Sequence, residues 1–197
     1  MGFPYNQELI NSSLTYTAYR QNISDELAQP AKDEVAEKMR GYIKKNVVLM
    51  DEYDATYKVS DNLKAALEAA PATTWLVLTE GWCGDAAFNV PMLAAIERAV
   101  PEKVQLRILL RDSNLELIDA HLTDGGRSIP KLIILSEDLQ ELGTWGPQPA
   151  ALRSLMKVWK SEGLTLKELI PKVGEWYNAD ATRSVQEELL RLVRSYS

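Results

Sequence analysis

The chain has 197 residues, 46% of them hydrophobic and 25% charged, with a formal net charge of −6. That length and apolar share are enough for a buried core with an appendage, and they exclude a fibrous or disordered chain. The acidic balance argues against a nucleic-acid partner, because neutralising phosphates takes a basic surface.

The first segment, "NQELINSSLTYTAYRQ" (6–21), has helical spacing, and so does "AKDEVAEKMRGYIKKNVVLMDEY" (31–53), where Val35, Met39, Tyr42, Ile43, Val47 and Met50 fall three or four apart. Pro30 separates the two. A shorter helix follows in "SDNLKAALEAAP", with Ser60 or Asp61 as N-cap and Pro71 beyond its end. Almost no strand signal precedes residue 70.

The centre differs. "TWLVLTE" (74–80) is a short apolar run, as expected of a buried parallel strand. "AAFNVPMLAAIERAV" (86–100) is helical, with Pro91 expected to kink it by removing one backbone hydrogen bond. "VQLRILLRD" (104–112) reads as the next strand and "NLELIDAHLT" (114–123) as the next helix. "KLIIL" (131–135) and "QELGTWG" (140–146) flank the tight "SEDL" connection, an antiparallel hairpin, before a helix over 149–163. The first two strands, joined by a helix, should be parallel. The tail, 164–197, is helical again, with Thr165–Glu168 and Ser184–Glu187 as capping-box patterns and with Pro171 and "YNADAT" as breaks.

"TEGWCGDAAF" (79–88) holds Cys83, the only cysteine. A single thiol excludes an intramolecular disulfide and points to a reducing compartment. No basic stretch followed by an apolar run opens the chain, no run approaches the ~20 residues that span a bilayer, and Phe3 and Pro4 do not suit myristoylation of the Met-Gly start. The protein is therefore expected to be soluble and cytoplasmic, without a membrane partner.

The order of elements and four local features resemble the thioredoxin superfamily. "WCG" (82–84) sits between a strand end and a helix start, where that family has Trp-Cys-Gly-Pro-Cys. "GGRSIPKLIIL" (125–135) is similar to the segment that carries the family's cis-proline before its third core strand, which makes Pro130 the counterpart. The 47-residue separation of Cys83 and Pro130 suits that topology, and Gly146 ends the fourth strand where the family commonly has glycine. The resemblance covers roughly 73–160 and implies an α/β fold: a thioredoxin-like central mixed sheet flanked by helices, with helical extensions at both termini. The expected organisation is an N-terminal extension (1–72) packing on the core, a thioredoxin-like core (73–160) and a C-terminal extension (161–197).

Three positions depart from the family pattern. Ala86 stands where the second cysteine belongs, Asp85 replaces the usual proline, and Val77 replaces the buried acid six residues before the cysteine. Cys83 keeps the nucleophile's place without a resolving thiol. A helix N-terminus favours a thiolate by about 0.3–1 kcal/mol, and a carboxylate at ~7 Å opposes it by roughly 1 kcal/mol, so Cys83 is expected to be only modestly activated. Arg127 is expected near the same corner, where it would act on the sulfur or pair with Asp85.

The resemblance then implies a monothiol thiol–disulfide oxidoreductase, with Cys83 as the catalytic residue. It would form mixed disulfides with a protein disulfide or a low-molecular-weight thiol, and an external thiol such as glutathione would resolve them. Trp82, Gly84, Asp85, Arg127, Ile129, Pro130 and Trp145 would line the substrate groove. The alternative is a non-catalytic module that binds a peptide or small ligand in that groove, around Trp82 and Pro130. A homodimer, through the added helices or through a Cys83 bridge, is a third alternative.

Bland readings stand beside these. A lone cysteine is commonly a small buried apolar residue. Glu80 and Asp85 read as a solvated strand end and a helix first-turn charge, His121 as exposed and idle, and Trp75 as core. One Cys and one His without motif spacing make no metal site, and no cofactor is expected.

Overall fold

Leu76, Val77 and Leu78 are wholly buried, and so are Leu132 to Leu135, so two adjacent strands are covered on both faces. The computed structural model describes residues 3–197. Its sheet has the order β2-β1-β3-β4, formed by β1 (Thr73–Thr79), β2 (Val104–Leu110), β3 (Lys131–Leu135) and β4 (Glu141–Trp145). β1 pairs with β2 in parallel and with β3 antiparallel, and β3–β4 is the expected hairpin.

The helices are α1 (Gln7–Ser12), α2 (Tyr16–Ala28), α3 (Glu34–Thr56), α4 (Asp61–Ala69), α5 (Gly84–Ala99), α6 (Leu115–Asp119), α7 (Ala150–Ser161), α8 (Leu166–Asp180) and α9 (Arg183–Tyr196). The chain is thus an α/β fold with a mixed central sheet, flanking helices and helical segments at both ends. Residues Ala86 to Ile96 of α5 are all buried, as expected of a helix apolar on every side, and α5 runs unbroken through Pro91. α3 packs along α5, and α9 packs on α4 and β4.

The terminal segments share the core of the centre: one continuous apolar cluster includes Ile10, Tyr19, Ile43, Trp75, Leu93 and Leu189. A second cluster gathers Tyr53 of α3, Phe88 of α5, Leu152 of α7 and Tyr177 of α8, with the Phe88 and Tyr177 rings stacked at 4.2 Å. It fastens the C-terminal helices to the start of α5.

Several local expectations need correction. The first helical segment is two helices, because Leu14 leaves the helix to exchange both backbone hydrogen bonds (2.8 Å each) with Ile108 on the outer edge of β2. That bridge covers part of an otherwise open strand edge. The helix after β2 stops at Asp119, and a short 3-10 turn, Arg111–Ser113, precedes it. Pro171 lies within α8 without ending it. The break comes at Ala181 and Thr182, both in the left-handed region, so Thr182 is the N-cap of α9. Ser184 is therefore inside α9, bonded to Asp180, and does not form a capping box with Glu187. The Thr165–Glu168 box is present.

The peptide bonds Ile129–Pro130 and Gly146–Pro147 are both cis. Gly146 follows β4 with φ +111°, and a Cβ there would run into the Pro130 carbonyl oxygen, a backbone atom that cannot step aside. Only glycine fits both the dihedral and the space. Gly84, at the start of α5, has open space where a Cβ would point. Gly146→Ala is therefore expected to cost about 2–4 kcal/mol in urea denaturation, and Gly84→Ala to change stability by less than about 1 kcal/mol. Equal effects of the two would contradict this packing.

Candidate functional site

The β1–α5 turn carries the site. Asn46 of α3 donates from Nδ2 to the Gly81 carbonyl at 2.9 Å, and the Asp112 N–H donates to Glu80 Oε1 at 2.8 Å, so the turn is pinned from both sides. Glu80 is buried rather than a solvated strand end, and burial raises its pKa. Cys83 is the N-cap residue of α5, and its Sγ faces the segment before β3, donating to the Ile129 carbonyl at 3.3 Å.

Cys83 is only 8% exposed. Burial, then the nearby Asp85 carboxylate, push its thiol up to about 12; the N–H groups of Ala86 and Asp85 and the Arg111 guanidinium offset this in part. Modest activation is thus corrected: the helix N-terminus is present, but the cost of placing charge in an apolar surrounding outweighs it.

Asp85 is half-buried and held by residues distant in sequence. Gln148 Nε2 donates to both carboxylate oxygens at 2.9 and 3.0 Å, and the Tyr177 hydroxyl donates to Oδ1 at 3.0 Å. Asn89 Nδ2 donates to the Tyr177 oxygen at 2.9 Å and to the Asp85 carbonyl at 2.8 Å. Burial raises the Asp85 pKa to about 6, against the lowering effect of Gln148, Tyr177 and Lys160.

A cleft of about 470 Å³ opens over this corner, with Trp82, Cys83, Asp85, Arg127 and Ile129 among its lining residues. The other expected groove residues lie elsewhere. Gly84 is exposed and Pro130 buried, neither among the lining residues, while Pro147 is one of the apolar residues of the lining. Trp145 is buried in the core and turned towards α9, where its Nε1 donates to Glu188 Oε2 at 2.6 Å. Arg127 does not pair with Asp85; it grips Asp119 with two 2.6 Å bonds. The cation that Cys83 senses is Arg111, whose guanidinium lies 4.9 Å from the centre of the Trp82 ring and whose Nη1 donates to the Arg127 carbonyl.

Arg111, Gln148, Tyr177 and the cations of α7 were not singled out from the sequence. Only the short spacing Arg153-Lys157-Lys160, one flank of a helix, carried a local signal. His121 is corrected as well. It is buried, with Nδ1 2.7 Å from the Leu117 carbonyl and Nε2 shared between Tyr5 and Glu141 at 2.8 and 2.9 Å, and it is not among the cleft's lining residues. Among the described residues no three His, Cys, Asp or Glu side chains converge on a metal position, and no helix is long and apolar enough to cross a membrane.

Asp85 also links the site to stability. Its folded pKa of about 6 lies above the 3.8 of an ordinary aspartate. The folded state therefore holds the proton more tightly, a contribution present below about pH 4 and lost as pH rises through about 6. Asp85→Asn is expected to raise stability by about 1–2 kcal/mol at about pH 8, with the gain vanishing towards about pH 4. Urea denaturation across that range checks it; a gain independent of pH would refute the assignment.

Two solved structures have this fold. One is a protein of unknown function from Pseudomonas aeruginosa, 16% identical, with a TM-score of 0.63 over 99% of this chain and 100% of the other. The second is an HIV epitope-scaffold, 15% identical, with a TM-score of 0.65 over 98% of this chain and 100% of the other. At such identities the likeness is one of fold. No curated protein matches the chain. The family model described as Thioredoxin matches residues 32–160, which takes in α3 and α4 as well as the sheet, and the chain belongs to the thioredoxin family.

Proposed function

We propose that this protein binds a small ligand or an extended peptide in the cleft beside Cys83 and does not turn over disulfides. The state of the sulfur carries the reading. Cys83 is nearly buried and donates to the Ile129 carbonyl, and burial with the Asp85 carboxylate pushes its pKa up to about 12, which disfavours the nucleophilic thiolate. With no other cysteine in the sequence, a mixed disulfide formed here has no internal resolving thiol. Asp85, in the place of the family's proline, works against the anion a second time by adding a like charge.

One observation favours the second reading, a monothiol thiol–disulfide oxidoreductase with an external thiol such as glutathione as resolver. Cys83 is among the residues that line the cleft, so a disulfide seated there would lie near the sulfur. The N–H groups of Asp85 and Ala86 would support a thiolate once formed.

Alkylation by iodoacetamide as a function of pH separates the two, with Cys83→Ser as the blank. Under the binding reading the rate shows no inflection below about pH 9, and any ligand binds Cys83→Ser as well as the parent. A midpoint below about pH 7, with disulfide-reducing activity that disappears in Cys83→Ser, would replace it with the exchange reading.

A further inference from the structure

The cleft is ringed by cations in a chain whose net charge is −6. α7 contributes Arg153, Lys157 and Lys160 from one flank, and Arg111 and Arg127 are also among the lining residues. Two carboxylates, Asp85 and Asp124, are the acids of the lining. Three of the cations have ion-pair partners: Arg111 with Asp112 at 2.7 Å, Arg127 with Asp119, and Lys157 with Asp124 at 3.1 Å. Among the described residues Arg153 and Lys160 have no carboxylate within 4.0 Å. Asp85 interacts with Lys160 at longer range, but its oxygens accept from Gln148 and Tyr177, and neither Arg153 nor Lys160 has a carboxylate in contact.

Surplus positive charge gathered around a concave site raises the local concentration of anions, and low-dielectric walls sharpen the effect. The walls here are partly apolar, with Cys83, Ile129, Pro147 and Met156 in the lining. The volume, about 470 Å³, lies within the range of small-molecule sites. A peptide would bring one terminal carboxylate at most unless its side chains were acidic, whereas two unpaired cations call for a compact ligand with at least two negative groups.

We infer that the cleft is a site for a small multivalent oxyanion, a molecule with two or more phosphate or carboxylate groups, held by Arg153 and Lys160, with Arg111 and Arg127 in the same lining. This deepens the binding reading and rests on it. The anion sits over a protonated Cys83, and its charge opposes thiolate formation further, so occupancy of this site and thiol exchange exclude one another.

Calorimetry on the full chain with inorganic pyrophosphate and with citrate, at one ionic strength, tests the assignment. At least one probe is expected to saturate, and the tighter of the two identifies phosphate or carboxylate as the preferred group. In R153Q/K160Q the affinity falls by about tenfold or more, while K44Q/K45Q, the same charge change on exposed α3 lysines, leaves it unaltered. No saturation by either probe, or equal weakening in both double variants, overturns the assignment. Native mass spectrometry of the protein after incubation with a cell extract of small molecules and peptides then tells the two failures apart. If calorimetry fails and a neutral compound or a peptide is retained, the anion is wrong and the binding reading survives; if nothing is retained, both fall.

Discussion

The contact between the Cys83 thiol and the Ile129 carbonyl closes the corner where the β1–α5 turn meets the segment before β3. It brings together backbone 46 residues apart, it leaves the sulfur in an apolar surrounding, and it sets α5 with its N-terminus against the cleft. A thiol can donate to a carbonyl; a thiolate cannot. The packing that builds the corner therefore selects the protonated sulfur, and the free energy of burying a charge decides against the modest help of a helix end.

The terminal helices complete this corner. α3 supplies Asn46, which holds the turn through Gly81, and α8 supplies Tyr177, which together with Gln148 holds Asp85. The stacked Phe88 and Tyr177 rings give the C-terminal helices a fixed seat on α5, so Asp85 meets its partners in one geometry. The family match itself starts at residue 32, within the helical N-terminal part, which agrees with α3 being structurally part of the site. Asp85 is thus a carboxylate held by three hydrogen bonds from two donors, Gln148 and Tyr177, and burial raises its pKa to about 6 against their lowering effect.

Basic side chains gather at the cleft, three of the five with an acidic partner. An acidic chain places five basic side chains around one concavity, three contributed by a single helix flank. The same helix turns Leu152 into the core beside Tyr177 and Phe88, so its basic flank is oriented by apolar packing. Orientation by a buried face is a general way for a surface helix to aim charges at a site without those charges contributing to the fold.

Local sequence determined much of the framework. Short apolar runs marked β1, β2, β3 and the hairpin within a residue or two, and the resemblance carried by "WCG", "IP" and Gly146 located the corner. The glycine at 146 is dictated by a left-handed dihedral and a carbonyl in the way, and such a demand leaves a residue type behind in the sequence. What only the tertiary structure decided was the environment of each group: that Cys83 is buried, that Arg127 belongs to Asp119 and Arg111 to Trp82, that Trp145 turns away to Glu188, and that His121 is enclosed with Tyr5 and Glu141. Protonation and pairing depend on desolvation and on partners up to 136 residues away, as Tyr5 and Glu141 are, and neither is encoded in the spacing of neighbouring residues.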